Sequence, residues 1–207
     1  MPRAALWLDL EPLLLASGSA TRRTLLEAAG IPVEVEPARI DERAVEAELL
    51  SNGAAPDAVA LGLARAKAAA VSRLRPGRLV LGADQTLAFD GESFHKPANR
   101  AAAAAQLARL GGREHALHAA AALYCDDSLV FEAVGTARLR MRPLSPAMIA
   151  RYLDAAGDIV TTTVGAYQLE SVGVHLFETL SGDHFTILGL PLLPLLEGLR
   201  RSGRVVS

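Results

Sequence analysis

The chain has 207 residues, 51% hydrophobic but only 4% aromatic, enough apolar material for one well-cored domain built on Ala, Leu and Val, which suits helices packed on a sheet. With 21 Lys and Arg against 23 Asp and Glu the net charge is −2, so no global field is present to hold a nucleic acid, and any phosphate chemistry must come from a local basic cluster. A single cysteine, Cys125, excludes an internal disulfide and a Cys-based zinc set.

No apolar run reaches the ~20 residues of a membrane span, and no signal-peptide layout follows the first residues, so a cytoplasmic protein with no membrane partner is expected. No Gly/Ser/Pro-rich linker and no internal repeat is present, which predicts one α/β domain over residues 1–207.

In chain order, Pro12 to Ser17 is a short apolar run that predicts a strand, followed by a small polar loop and a helix over Arg22 to Ala29, stopped at Gly30 and Pro32. Val33 to Glu36 alternates like a strand with one wet face, and a loop carrying Asp41, Glu42 and Arg43 follows. Pro56 opens a helix to Ser72, with Lys67 on a face adjoining the buried one. Arg78 to Ala83 predicts a buried strand ending at Asp84, Gln85 and Thr86, and Asp90-Gly91 predicts a hairpin turn that returns the chain through Ser93 and Phe94.

Asn99 to Leu110 is Ala-rich and helical, with a stop at Gly111-Gly112. Two long strands are expected over Glu114 to Tyr124 and Leu129 to Arg142, around a turn at Asp126 to Ser128. Ser145 caps a helix that begins at Pro146 and runs to about Ala155. The last third holds the segment Val164 to Glu170, a short strand over Val174 to Phe177, a turn at Ser181 to His184, and a terminal apolar helix after Pro191.

Hydrolysing a polyphosphate needs cations on the phosphates, carboxylates for a metal, and a base that orients water. Ser17, Gly18, Ser19, Ala20, Thr21, Arg22 and Arg23 form a small-residue loop entering a helix N-terminus, where free N–H groups and two guanidiniums favour an anion. Read alone, the same segment is also an ordinary Ser/Thr N-cap with two solvated arginines. Asp84, following an apolar strand, stands where open α/β sheets bind ligands, and equally where a turn-forming Asp stands.

Glu42 offers a second carboxylate, or a wet loop. Lys67 and Lys96 offer ammonium groups, or solvated surface. His95, His115, His118, His175 and His184 show no HxxxH spacing, and neither a GxxxxGK[ST] loop nor a GxSxG elbow occurs.

In order and spacing these segments resemble the Maf family of nucleotide pyrophosphatases over nearly the whole chain. The run from Leu13 through Ala16, Ser17, Gly18 and Ser19 to Arg22-Arg23 looks like that family's phosphate-binding motif. Asp41-Glu42, Leu63 to Lys67, Gly82 to Gln85, Lys96-Pro97, Gly165 to Tyr167 and Gly189 to Leu192 follow it in order.

The resemblance implies a fold related to the inosine-triphosphate pyrophosphatases: a mixed, elongated sheet flanked by helices, with a central cleft between two lobes. It also implies hydrolysis of a nucleoside triphosphate to monophosphate and pyrophosphate with Mg²⁺ or Mn²⁺. By the same analogy Asp84 is the catalytic carboxylate, aided by Lys67 and Lys96. Ser17, Ser19, Arg22 and Arg23 bind phosphate, and Glu42 with Asp84 holds the metal.

Gln85 and Glu170 resemble the 7-methyl-GTP branch, where the dTTP/UTP branch has Thr and Gln, and a carboxylate such as Glu170 can accept from the guanine N1–H and N2 amine. Thr21 departs from that branch's tryptophan and removes a stacking surface. A homodimer is common in such families. The competing reading is a non-catalytic nucleotide-binding regulator of cell division, against which the joint presence of Asp84, Glu42, Lys67 and Lys96 argues.

Overall fold

The structure, a computed structural model, describes residues 6–206. Its first strand lies where the first apolar run predicts one: β1, Leu13–Leu15, is buried along its length. Ser19 then caps α1, Ala20–Ala28, its hydroxyl accepting from the Arg22 amide, so a serine in an extended conformation ends the loop and starts the helix. Strand β2, Val33–Val35, pairs parallel with β1, Leu13 opposite Val33.

The expected loop around Glu42 is instead the start of a helix. Asp41 is the N-cap of α2, Glu42–Ser51, and its carboxylate accepts from the Ala44 amide. The run of Glu, Ala, Arg and Leu has good helix propensity, but the helix fully buries none of its residues, so it has no apolar stripe for periodicity to detect. Helix α3, Pro56–Leu74, follows with proline in its first turn.

Strand β3, Val80–Phe89, does not stop at Asp84. It continues because Leu87, Ala88 and Phe89 pair antiparallel with Phe94, Ser93 and Glu92 of β4, Glu92–Phe94, across the Asp90-Gly91 turn. Both turn residues have positive φ, 50° and 80°, as a two-residue hairpin of this type requires. Asp84 is therefore a mid-strand residue.

Helix α4, Arg100–Leu110, is capped by Asn99, and β5, Glu114–Cys125, leads through Asp126 and Asp127 into β6, Ser128–Met141. Those two aspartates also take positive φ, 49° and 57°, which Asp tolerates better than most residues. Ser145 caps α5, Pro146–Ala156.

A strand expected over 174–177 is replaced by a 3₁₀ turn, Val172–Leu176, with β7 following as Phe177–Ser181. At the start of that turn Gly173 sits so close to the Gln168 carbonyl that a Cβ would lie 2.2 Å from its oxygen, a tight reversal that excludes an extended chain. The short α6, His184–Ile187, and α7, Leu192–Arg201, complete the chain.

The strands hydrogen-bond in the order β2-β1-β3-β5-β6-β7, with β4 paired to β3 off that path. The β2-β1-β3 pairs are parallel, while β3-β4 and β6-β7 are antiparallel, so the seven-stranded sheet is mixed. Among the described residues no helix is long and apolar enough to cross a membrane.

The chain divides into two compact units. The first comprises residues up to Gln85, Ala119–Gly135 and the chain from Gly189 onward. Its core packs Leu14, Ala16 and Val80 of the sheet against Ala60, Ala64, Ala68 and Val71 of α3. Small residues on both sides let the helix lie close to the strand. At Gly82 the approach is closest: a Cβ there would fall 2.0 Å from the Ala64 carbonyl oxygen and 2.6 Å from the Ala68 nitrogen.

The second unit comprises Thr86–His118 and Thr136–Leu188. Its core includes Leu87, Leu107, Leu117, Leu139, Tyr152 and Tyr167. His115 is buried there, its Nε2 2.7 Å from the Tyr167 hydroxyl and its ring beside Phe177. Burial pushes its pKa from 6.5 down to about 4.

A depressed imidazole pKa means that the unfolded chain binds the extra proton first. Stability is therefore complete above pH 6.5 and falls as pH drops toward 4. Between pH 7 and pH 5 this one group removes about 2 kcal/mol. Urea unfolding of the native protein and of His115→Phe at those two pH values checks this: the variant should lose less stability between them. Equal losses would remove His115 from the effect.

Candidate active site

Three elements of the first unit converge on one ammonium. Lys67 lies on α3, and its side chain is only 9% exposed. Its Nζ is 2.6 Å from Asp84 Oδ1 on β3 and 2.8 Å from Glu42 Oε2 in the first turn of α2. Asp84 and Gly82 are two apart on one strand and so share a face. The missing side chain at Gly82 thus lets α3 approach the surface from which Asp84 projects. Leu49 of α2 packs at Gly62 of α3, where a Cβ would meet its methyl at 2.5 Å, and this holds α2 beside the same helix.

A second cation belongs to the same constellation. Arg22, half-buried, donates from Nε to the Gly189 carbonyl at 2.8 Å and from Nη1 to Ser17 Oγ at 2.8 Å and the Ala83 carbonyl at 2.9 Å. Desolvation lowers its pKa, while the charges of Asp84 and Glu42 act in the opposite direction. A guanidinium stays protonated through such a shift. With Nε and both Nη1 hydrogens in use, the two N–H groups of Nη2 have no partner among the described residues and remain available to an anion.

Ser17 is buried, and its hydroxyl also accepts weakly from the Ser19 amide at 3.4 Å. The loop is therefore ordered around its own hydroxyls, with the N-terminus of α1 directly behind it.

Of the residues predicted from sequence, Ser17, Ser19, Arg22, Glu42, Lys67 and Asp84 gather in the first unit. Gln85 is half-buried next to Asp84, its Oε1 3.5 Å from where a Cβ on Gly189 would stand. Thr21 is half-buried in the first turn of α1. Arg23 does not join the constellation: it is exposed and pairs with Glu27 one turn along α1 at 2.8 Å.

Lys96 and Glu170 belong to the second unit, and both are exposed. The chain at Lys96 is anchored one residue earlier, where Gln106 of α4 donates to the His95 carbonyl at 2.8 Å.

Two further contributors act through backbone alone. The Ala83 and Gly189 carbonyls hold the Arg22 guanidinium, and Gly189 does so with a φ of +96° that L side chains rarely adopt. Glycine at position 189 is the only signal of this in the sequence, since a carbonyl acceptor leaves no trace in the residue type.

Among the described residues no group of three or more His, Cys, Asp or Glu side chains is placed to hold a metal ion. Mg²⁺ at a nucleotide site needs fewer, since it takes one or two carboxylates and completes its shell with water and phosphate oxygens. Glu42 and Asp84, with oxygens on one shared ammonium, suit that kind of ion.

Comparison with known proteins gives a consistent result. The family model described as "Maf-like protein" matches residues 12–202. A nucleoside triphosphate pyrophosphatase of Rhodopseudomonas palustris (strain ATCC BAA-98 / CGA009) is 58% identical over 94% of this chain and 96% of its own length. A 7-methyl-GTP pyrophosphatase of Rhizobium johnstonii is 52% identical over 93% of this chain and 97% of its own length. A solved nucleoside-triphosphatase / dITP/XTP pyrophosphatase from Mycobacterium abscessus aligns at 22% identity over 64% of this chain and 74% of its own. Its TM-score is 0.35, too loose a likeness to bear on the site.

Proposed function

Since the chain belongs to the Maf family, we propose that it hydrolyses a nucleoside triphosphate at the α–β anhydride, giving a monophosphate and pyrophosphate. The observation that carries this reading is the buried Lys67 ammonium held between Glu42 and Asp84, beside an Arg22 guanidinium with two uncommitted N–H groups. Carboxylates next to concentrated positive charge are what water activation beside a polyphosphate requires.

In this reading Asp84 orients the water and takes its proton. The water oxygen bonds to one phosphorus of the anhydride, and the bridging oxygen leaves with the other. Arg22, Ser17 and the N–H groups at the start of α1 grip the phosphates, with Ser19 shaping the loop. We assign Lys67 and Lys96 to the charge of the departing pyrophosphate.

Glu42 and Asp84 are assigned as ligands of a Mg²⁺ or Mn²⁺ ion. When bound, the ion supplies charge neutralisation on the phosphate oxygens. We also assign the protein to the cytoplasm, in keeping with its single cysteine.

For the base we propose a guanine-type nucleotide such as 7-methyl-GTP. The support is the chemistry of Glu170, whose carboxylate accepts from N1–H and N2 donors that a pyrimidine such as thymine lacks. One experiment tests both levels: incubation with 7-methyl-GTP, GTP, dTTP and UTP, with and without Mg²⁺ or Mn²⁺, assaying pyrophosphate. Release of orthophosphate in its place would refute the assigned bond. Glu170→Gln should lower kcat/KM on the guanine substrates about tenfold and leave dTTP nearly unchanged; equal losses would show that Glu170 does not read the base.

A further inference from the structure

Lys67 sits where a divalent cation held by Glu42 and Asp84 would have to be accommodated. Its ammonium is 2.6 Å from one carboxylate and 2.8 Å from the other, so a cation taking oxygens from both would stand against a like charge a few ångström away. The ammonium and the ion therefore compete for the same two acids, unless Lys67 first moves to another anion.

The surroundings leave one way for that to happen. The α3 backbone is fixed against β3, with the Ala64 carbonyl and the Ala68 nitrogen meeting the bare Gly82, so the helix has no room to carry Lys67 closer or shift its level. Arg22, the other cation, is tied to Ser17, Ala83 and Gly189 and stays in place. Of these two cations Lys67 is the one on a flexible four-carbon stem, and among the described residues its ammonium is held only by the two acids. It is the movable charge.

We propose that Lys67 is the standing counter-ion of the Glu42/Asp84 pair and excludes a divalent cation until the nucleotide's phosphate chain draws its ammonium away. The cation is then bound tightly only together with the triphosphate. Lys67 exchanges one set of anionic oxygens for another, and neither the acids nor the lysine is left unpaired. The inference rests on Glu42 and Asp84 being the cation's ligands. It is separable from the activity because its test uses protein that turns nothing over.

The test is Mn²⁺ titration calorimetry on the nucleotide-free protein. Lys67→Met should bind Mn²⁺ at least ~10-fold more tightly than the native protein, by the scale of removing one charge at this distance, and Lys67→Arg should bind it as weakly as the native protein. The α,β-methylene analogue of GTP should tighten Mn²⁺ binding to the native protein and add little for Lys67→Met. A folded Lys67→Met with native or weaker affinity overturns the proposal.

Should Lys67→Met fail to fold, ¹⁵N-lysine spectra of the native protein decide, with the Lys67 ammonium assigned by its absence in Lys67→Arg. That signal should stay in place with Mg²⁺ alone and move when the nucleotide analogue is added; movement with Mg²⁺ alone overturns the proposal. Failure to release pyrophosphate in the earlier assay would remove the enzymatic reading and leave these binding results standing.

Discussion

Asp84→Asn should lower pyrophosphate release at least ~100-fold, the scale of losing a general base, and should leave the protein's thermal midpoint almost unchanged. The substitution is isosteric, and the remaining side-chain carbonyl still accepts from Lys67, which keeps Glu42 as its ion-pair partner. What disappears is one negative charge and the ability to take a proton. Because Asp84 projects from the middle of β3 and not from a loop, the neighbouring backbone has little freedom to bring another acid into its place.

The measurement is initial rate on the best substrate of the panel, beside a melting curve for the same preparation. A large rate loss with an unchanged midpoint assigns Asp84 to chemistry. Full activity would exclude it, and a rate loss matched by a collapse in stability would make it structural.

Local chemistry explains what is legible in the sequence. The Asp90-Gly91 and Asp126-Asp127 turns declare themselves because positive φ favours those residue types, and Ser19, Asn99 and Ser145 mark helix starts because each satisfies an amide of its own first turn. Helix α2 escapes a reading by periodicity because it presents no buried stripe, and its cap, Asp41, reads equally well as part of an acidic loop. Strand β3 reads as ending at Asp84 because the three polar residues there look like a turn, whereas the pairing of Leu87 with Phe94 carries the strand onward.

The candidate site is legible in part for the same reason. Asp84, Glu42, Lys67 and Arg22 are visible as residue types, but whether each is solvated or held is decided by partners far along the chain. Arg22 reaches the Ala83 carbonyl 61 residues away and the Gly189 carbonyl 167 residues away. Lys67 is buried on a helix whose pattern marks it as peripheral, and only the side chains of β3 and α2 make its burial tolerable. Arg23 shows the reverse: adjacent to Arg22 in a phosphate-loop pattern, it is turned by helical geometry to Glu27.

Gly82→Ala should have the largest effect on stability of any single methyl group added to this site. The new Cβ would lie 2.0 Å from the Ala64 carbonyl oxygen, 2.6 Å from the Ala68 nitrogen and 2.9 Å from the Ala68 Cβ. Two of these atoms are backbone within a continuous helix, so no side-chain rotation relieves the contact, and α3 must move off β3 by about an ångström. That separation loosens the core where Ala64, Ala68 and Val71 meet Ala16 and Val80. A cost of about 2–4 kcal/mol follows, at or above the usual range for overpacking because backbone has to yield. For a chain of this size that is a fall of roughly 5–15 °C in the thermal midpoint.

The same displacement acts on the chemistry without touching a functional group. Lys67 rides on α3 and Asp84 on β3, so parting the two elements lengthens the 2.6 Å contact between them. Turnover measured well below the lowered midpoint should fall about tenfold or more, the penalty for misplacing a catalytic group by about an ångström. Gly77→Ala is the control. Gly77 has a φ of +74°, and a Cβ added there would meet nothing within 4 Å, so alanine costs about 1 kcal/mol of backbone strain and leaves turnover intact. If Gly82→Ala melts and turns over like Gly77→Ala, close approach of α3 to β3 is not what aligns Lys67 with Asp84.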